Sequence, residues 1–172
     1  MLQLIGMILL LTGSTGMAWN YCQEQRERLR YLKYIKQMYE YLQNEIAYAR
    51  SSLPEICEEL SDRLPEPFAQ AFAMIVAEIK ENNGRSFEDI WTGVMTEQIK
   101  PLPLSGVEKE LIIDLTDSPG FRDGKGQAKG MERHIEEVTR HIKELEEGLK
   151  SKNKVVMCMG VMGGLMAIIL LI

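Results

Sequence analysis

Hydrophobic positions along this chain follow two regimes. Between Glu24 and Lys154 they recur at helical spacing among charged residues, and outside that stretch no charged side chain occurs. The last periodic stretch is the clearest. Met131, Ile135, Val138, Ile142, Leu145 and Leu149 step by 4, 3, 4, 3 and 4, which makes one a/d seam on a helix. Glu132, Arg133, Glu136, Glu137, Arg140, Lys143, Glu144, Glu146 and Glu147 flank it, and Val155–Ile172 follows with no charge. A second long helix is predicted over Gln23–Arg50. Leu32, Ile35, Tyr39, Leu42, Ile46 and Ala49 form one stripe, and Tyr31, Tyr34, Met38, Tyr41 and Tyr48 form another one residue earlier. The combined face is broader than a two-stranded seam and predicts core contact with several helices. A tyrosine-rich face for a partner is the alternative.

Shorter helices are predicted between these two. Ser52 and Glu55 have capping-box spacing, and Pro54 fits a first turn, so a helix runs to about Arg63 with Leu53, Ile56, Cys57 and Leu60 inward. Pro65 and Pro67 open a third, Phe68–Asn82, with Phe68, Phe72, Ile75 and Ile79 as its core stripe and Gly84 as a left-handed stop. Ser86 caps a fourth, Phe87–Lys100, with Glu88 and Asp89 in its first turn and Phe87, Ile90, Trp91, Val94 and Met95 inward. Pro101-Leu102-Pro103 breaks the chain, and Ser105 with Glu108 starts a short fifth helix to Leu115. Thr116–Gly130 reads as a loop. No run alternates with a period of two. The expected class is all-α: a cytoplasmic helical bundle of about six helices, flanked by an N-terminal and a C-terminal transmembrane helix.

The uncharged ends set the expected domains: a transmembrane helix over 1–22, the bundle over 23–154, and a second transmembrane helix over 155–172. About twenty helical residues reach ~30 Å, one hydrocarbon core, and Val155–Ile172 at about 27 Å only just spans it. A cleaved signal peptide competes for the N-terminal run, because Gly16-Met17-Ala18 resembles a cleavage site. Against it, no Lys or Arg precedes the run; Arg26, Arg28, Arg30, Lys33 and Lys36 follow it instead. Trp19 and Tyr21 suit an interfacial position. Basic residues flank the inner end of both runs, which puts the middle in the cytoplasm. Gly160 and Gly164 form a G-x-x-x-G that suits close packing of membrane helices.

Composition narrows the chemistry. A net charge of −5 argues against a nucleic-acid domain. Cys22, Cys57 and Cys158 are scattered, without metal spacing, and read as reduced and structural. His134 and His141 lie seven apart, each followed by a glutamate (Glu137, Glu144) three residues on. Carboxylate-bridged metal sites want Glu-x-x-His twice, so the reversed order reads as a solvated, salt-bridged face. Gly124-Lys125-Gly126 lacks the phosphate-loop pattern. With no nucleophile–base arrangement in view, the expectation is a protein without catalytic residues, cofactor or metal. The outer side of the second helix is acidic through Glu55, Glu58, Glu59, Asp62 and the nearby Glu66. A solvated face is the default there, and a docking face for a basic partner is the alternative.

Several segments resemble a known family in order, spacing and total length. They are Glu45-Ile46-Ala47-Tyr48, Leu53-Pro54-Glu55, Gly84-Arg85-Ser86-Phe87-Glu88-Asp89-Ile90-Trp91 and Glu108-Lys109-Glu110-Leu111, together with the charged last helix and both uncharged ends. The chain resembles the stage III sporulation protein AB family across essentially its whole length. Asp123 and Gln127 fit the end of that family's turn before the last helix, whereas Pro119 and the glycines do not. That family is similar to the cytoplasmic domains of F-type platform proteins in type II secretion and type IV pilus systems. The resemblance implies a membrane scaffold in the channel joining mother cell to forespore. The implied partners are a secretion-type ATPase of the sporulation operon and ring-forming channel proteins, and a homo-oligomer is left open. On that reading the ATPase docks on the acidic side of the second helix (Glu55, Glu58, Glu59, Asp62) or on the surface from helix two to helix four. A membrane-tethered adaptor for a cytosolic signalling protein is the alternative.

Overall fold

A computed structural model describes residues 2–45, 52–81, 84–116 and 127–171. Within the two long helices, the side chains at 2–5, 7–11, 14, 127–130 and 150–154, and several beyond 156, also lie outside that description. The described residues form six helices: α1 Leu2–Asn44, α2 Leu53–Arg63, α3 Phe68–Glu81, α4 Phe87–Ile99, α5 Gly106–Ile113 and α6 Gln127–Leu171. This is the all-α bundle that the periodicities predict. The chain divides into two compact units, Tyr31–Ile142 and the pairing of Met1–Arg30 with Lys143–Ile172.

The first of these units holds the core. The described part of the α1 stripes is buried at Leu32, Ile35, Met38, Tyr39 and Leu42, while Ile46, Tyr48 and Ala49 lie outside the described residues. Helix α2 packs on α3, α3 on α4, and α4 on α5. Ile56, Cys57 and Leu60 come from α2, and Phe68, Ala71, Phe72 and Ile75 from α3. Trp91 on α4 anchors the centre, with edge contacts to Phe72 at 5.9 Å and a tilted contact to Phe87 at 6.0 Å. Burying side chains of this size contributes roughly 1.5–3 kcal/mol each. Of the α6 seam, Met131, Val138 and Ile142 are buried, and Ile135, Leu145 and Leu149 are half-buried.

Three serines open helices. Ser52 N–H donates to Glu55 Oε2 at 2.9 Å. Ser105 N–H donates to Glu108 Oε2 at 2.7 Å, and Glu108 is buried. The third box was not anticipated: Asp89 stands where Glu is usual, and its N–H donates to Ser86 Oγ at 3.1 Å while its carboxylate accepts from Ser86 N–H at 3.3 Å. Gly84 has φ +71°, the left-handed stop expected after α3. Helix α5 ends at Ile113, two residues before the predicted Leu115. Its last carbonyls find no partner along the helix, as at every helix end. Tyr39 Oη of α1 donates to Leu111 O at 2.9 Å and Trp91 Nε1 of α4 donates to Ile112 O at 2.9 Å.

Two predicted features change. Gln127–Gly130, expected as loop, is helical and opens α6. A lone glycine such as Gly130 costs a helix only about 1 kcal/mol, too little to stop it. His134 and His141 are half-buried rather than on a solvated face, with His134 Nδ1 and His141 Nε2 shielded and unpartnered among the described residues. The His134 ring lies tilted against the Tyr39 ring, centroids 5.9 Å apart. Burial lowers its pKa below the ordinary range; the nearby Glu137 opposes that shift.

In the second unit, Ala18 and Cys22 are buried one helical turn apart, while Met17, Trp19 and Tyr21 are exposed. On α6, Val155, Met159, Met162 and Met166 are exposed at 4, 3 and 4 spacing. Among the described residues no helix is long and apolar enough to cross a membrane. The two transmembrane helices expected over 1–22 and 155–172 are therefore not found there, and much of both runs lies on side chains outside the description. The surroundings of Gly160 and Gly164 fall outside it as well.

Candidate docking surface

Helix α2 is amphipathic because its apolar residues fall at positions 56, 57 and 60 and its acids between them. The buried side faces α3, which leaves Glu55, Glu58, Glu59 and Asp62 exposed, as the spacing predicts. Three of these four are already engaged within the fold. Glu55 closes the α2 capping box, and the backbone N–H of Ser52 holds its carboxyl below the usual range. Glu58 pairs with Lys80 of α3. Glu59 accepts a hydrogen bond from Tyr41 Oη of α1 and lies 3.5 Å from Arg63 Nη2. The Arg63 guanidinium sits 4.8 Å from the centre of the Tyr41 ring, so Tyr41, Glu59 and Arg63 form one clamp between α1 and α2. Asp62 has no ion pair among the described residues. The acidic side of α2 thus works partly as stapling between helices, and its net field is weaker than the sequence suggests. Exposed pairs of this kind contribute roughly 0–1 kcal/mol each.

Sequence reasoning found the acids and missed their partners. Arg63 lies four residues after Glu59, a visible helical pair. Lys80 and Tyr41 carry no such signal, because they meet α2 only through packing.

A cleft of about 260 Å³ opens where the start of α2, the end of α3 and the start of α4 meet. Leu53, Pro54, Ile79, Phe87 and Ile90 give it an apolar lining. At its edge Arg85 Nη1 binds Glu78 Oε2 at 2.8 Å, and Arg85 Nη2 binds Asp89 O at 3.2 Å. Ser86 and then Arg85 hold the Asp89 carboxyl below its usual range. Leu53-Pro54 and Gly84–Ile90 are parts of two segments that carry the family resemblance, and the fold brings them together here. No group of three or more His, Cys, Asp or Glu arranged to hold a metal occurs among the described residues.

The fold and this surface define a class: a six-helix body that begins and ends in its two longest helices, with a small apolar cleft at the junction of α2, α3 and α4. The sequence matches the family described as Stage III sporulation protein AB (spore_III_AB) over residues 3–172, and the chain belongs to that family. It is similar to the Stage III sporulation protein AB of Bacillus subtilis (strain 168), with 23% identity over 175 residues and 99% of each chain covered. A solved structure of Stage III sporulation protein AB (SpoIIIAB) superposes with a TM-score of 0.65 at 18% identity, covering 72% of this chain and 97% of that one. That likeness shows the fold. Family membership implies a role in stage III sporulation.

Proposed function

We propose that this protein is a non-catalytic membrane platform in a sporulation-specific, secretion-like channel between mother cell and forespore, and that it docks a secretion-type ATPase. One observation carries the reading. Helices α1 and α6, the first and last of the body, each continue without a break into an uncharged terminal run. The exposed methionines on α6 and the exposed Met17 and Trp19 on α1 are apolar surface that water does not favour and lipid does. The bundle then stands on the cytoplasmic side. Its docking face is the outer side of α2, where Glu55, Glu58, Glu59 and Asp62 are exposed, with the adjoining α2–α3–α4 cleft, whose apolar lining has Glu78 and Arg85 beside it.

The test is fractionation of sporulating cells. The protein stays with membranes washed in alkaline carbonate, and detergent extracts co-purify it with ring-forming membrane proteins and the operon's ATPase. Release by carbonate would remove the anchors. Retention with only a cytosolic signalling protein as companion would move the reading to a tethered adaptor.

A further inference from the structure

On α1 a row of exposed residues runs along one face: Trp19, Gln23, Arg26 and Arg30. At 100° per residue, Arg26 and Arg30 lie within about 20° of Trp19 around the helix. The opposite composition occupies other faces: Ala18 and Cys22 are buried, and Glu24 lies about 140° away from Trp19. Arg26 has no ion pair among the described residues. Arg30 lies 3.6 Å from Glu27, with both side chains 54% exposed. Towards the N-terminus the same face holds a shallow groove of about 480 Å³ lined by Thr12, Thr15, Gly16 and Trp19. The absence of a side chain at Gly16 leaves that groove open, with nothing within 4 Å of where its Cβ would stand.

We propose that this face is a binding surface for an anionic phospholipid, one acyl chain lying in the Thr12–Gly16 groove and the headgroup phosphate meeting Arg26 and Arg30. The order along the helix matches the order through half a bilayer: apolar groove, aromatic ring, amide, cations. Trp19 marks the boundary where indole rings collect. Arg26 and Arg30 lie about 10.5 and 16.5 Å further along the axis, so the phosphate that both meet stands beyond the Trp19 level, within reach of two side chains that extend back along the helix. A guanidinium meets phosphate oxygens with two parallel N–H donors, which a zwitterionic headgroup accepts less well because its own cation competes. The proposal rests on the membrane reading above and adds a lipid preference to it.

Trp19 also provides the probe. The chain has two tryptophans, and Trp91 is 1% exposed in the bundle core. The full-length protein is reconstituted in vesicles of phosphatidylcholine with phosphatidylglycerol, and one lipid at a time is brominated at matched mole fraction. The Trp19→Phe variant supplies the Trp91 background. Brominated phosphatidylglycerol should quench Trp19 more than brominated phosphatidylcholine does, reflecting enrichment of roughly fivefold per arginine. Arg26→Gln with Arg30→Gln should bring the two quenching curves together while Trp19 stays quenched and the Trp91 emission stays unchanged. Equal quenching by both lipids in the wild type overturns the lipid preference and leaves the membrane reading standing. No quenching of Trp19 by either lipid overturns both.

Discussion

Replacing Tyr39 by Phe removes a single hydroxyl from the middle of the bundle and leaves the ring in place. That hydroxyl caps the end of α5 from a helix 72 residues earlier in sequence, by donating to Leu111 O at 2.9 Å. Burial raises the Tyr39 pKa far above the ordinary tyrosine range, with the charge of Asp114 adding to it, so the group stays a neutral donor at any working pH. Losing the bond removes ~1 kcal/mol net, and the Leu111 carbonyl left without a donor adds a desolvation cost of about 1–3 kcal/mol. Relief from burying the hydroxyl offsets part of this, for a net loss of about 1–2 kcal/mol. In a body of about 110 residues each ~1 kcal/mol moves the midpoint by roughly 4–6 °C, so Tyr39→Phe should melt about 4–12 °C earlier. The assay is thermal unfolding in mild detergent followed at the helical circular dichroism band. Tyr41→Phe is the comparison: its hydroxyl meets the exposed Glu59, and its loss should cost less than about 0.5 kcal/mol. A Tyr39→Phe midpoint within one degree of wild type, or a larger loss for Tyr41→Phe, would refute the view that distant side chains hold α5.

Gly84→Ala should cost about 1 kcal/mol in the same melt, because φ +71° disfavours any Cβ even though the space around it is open; an unchanged midpoint would mean that the turn relaxes freely. Cys57 is fully buried and its thiol is pushed up to about 12, so it should resist alkylation at pH 8 until the protein unfolds. It is therefore a poor reporter of membrane sidedness, and Thr92→Cys on the exposed face of α4 should serve instead, labelling with an impermeant reagent only after permeabilisation. For His134 the folded pKa lies below its ordinary value of 6.5, chiefly through burial. The unfolded chain then binds the proton more readily, so this contribution is complete above about pH 6.5 and is lost as pH falls through the lowered folded value. Stability measured against pH should fall on that acid side, and His134→Gln should flatten the slope; an unaltered slope would assign it to other groups.

Local signals in this chain were legible and cross-chain ones were not. Ser52–Glu55, Ser105–Glu108 and Gly84 act within one turn of helix, and each appears where its spacing predicts. The apolar stripes of α1, α3 and α4 named most of the core, since a 3.6-residue period marks the buried face before the partner is known. The pairing of Glu58 with Lys80, the clamp of Tyr41, Glu59 and Arg63, and the capture of α5 carbonyls by Tyr39 and Trp91 depend on how helices are placed, which no period records. The same limit explains His134 and His141. Arg133 and Arg140 precede them in sequence, and only the folded chain shows that both lie partly inside, His134 against the Tyr39 ring. The acidic side of α2 was correctly located and incompletely understood, because three of its four carboxylates hold other parts of the fold.

The most direct test is binding of the detergent-solubilised full-length protein to the sporulation operon's secretion-type ATPase, measured with and without nucleotide. The account predicts saturable binding at micromolar concentration or tighter, sensitive to nucleotide state, and weakened by Glu58→Lys with Glu59→Lys in a variant whose melt shows the bundle intact. Binding indifferent to those charges would shift docking away from α2. No binding by a folded, membrane-competent protein would contradict the platform reading.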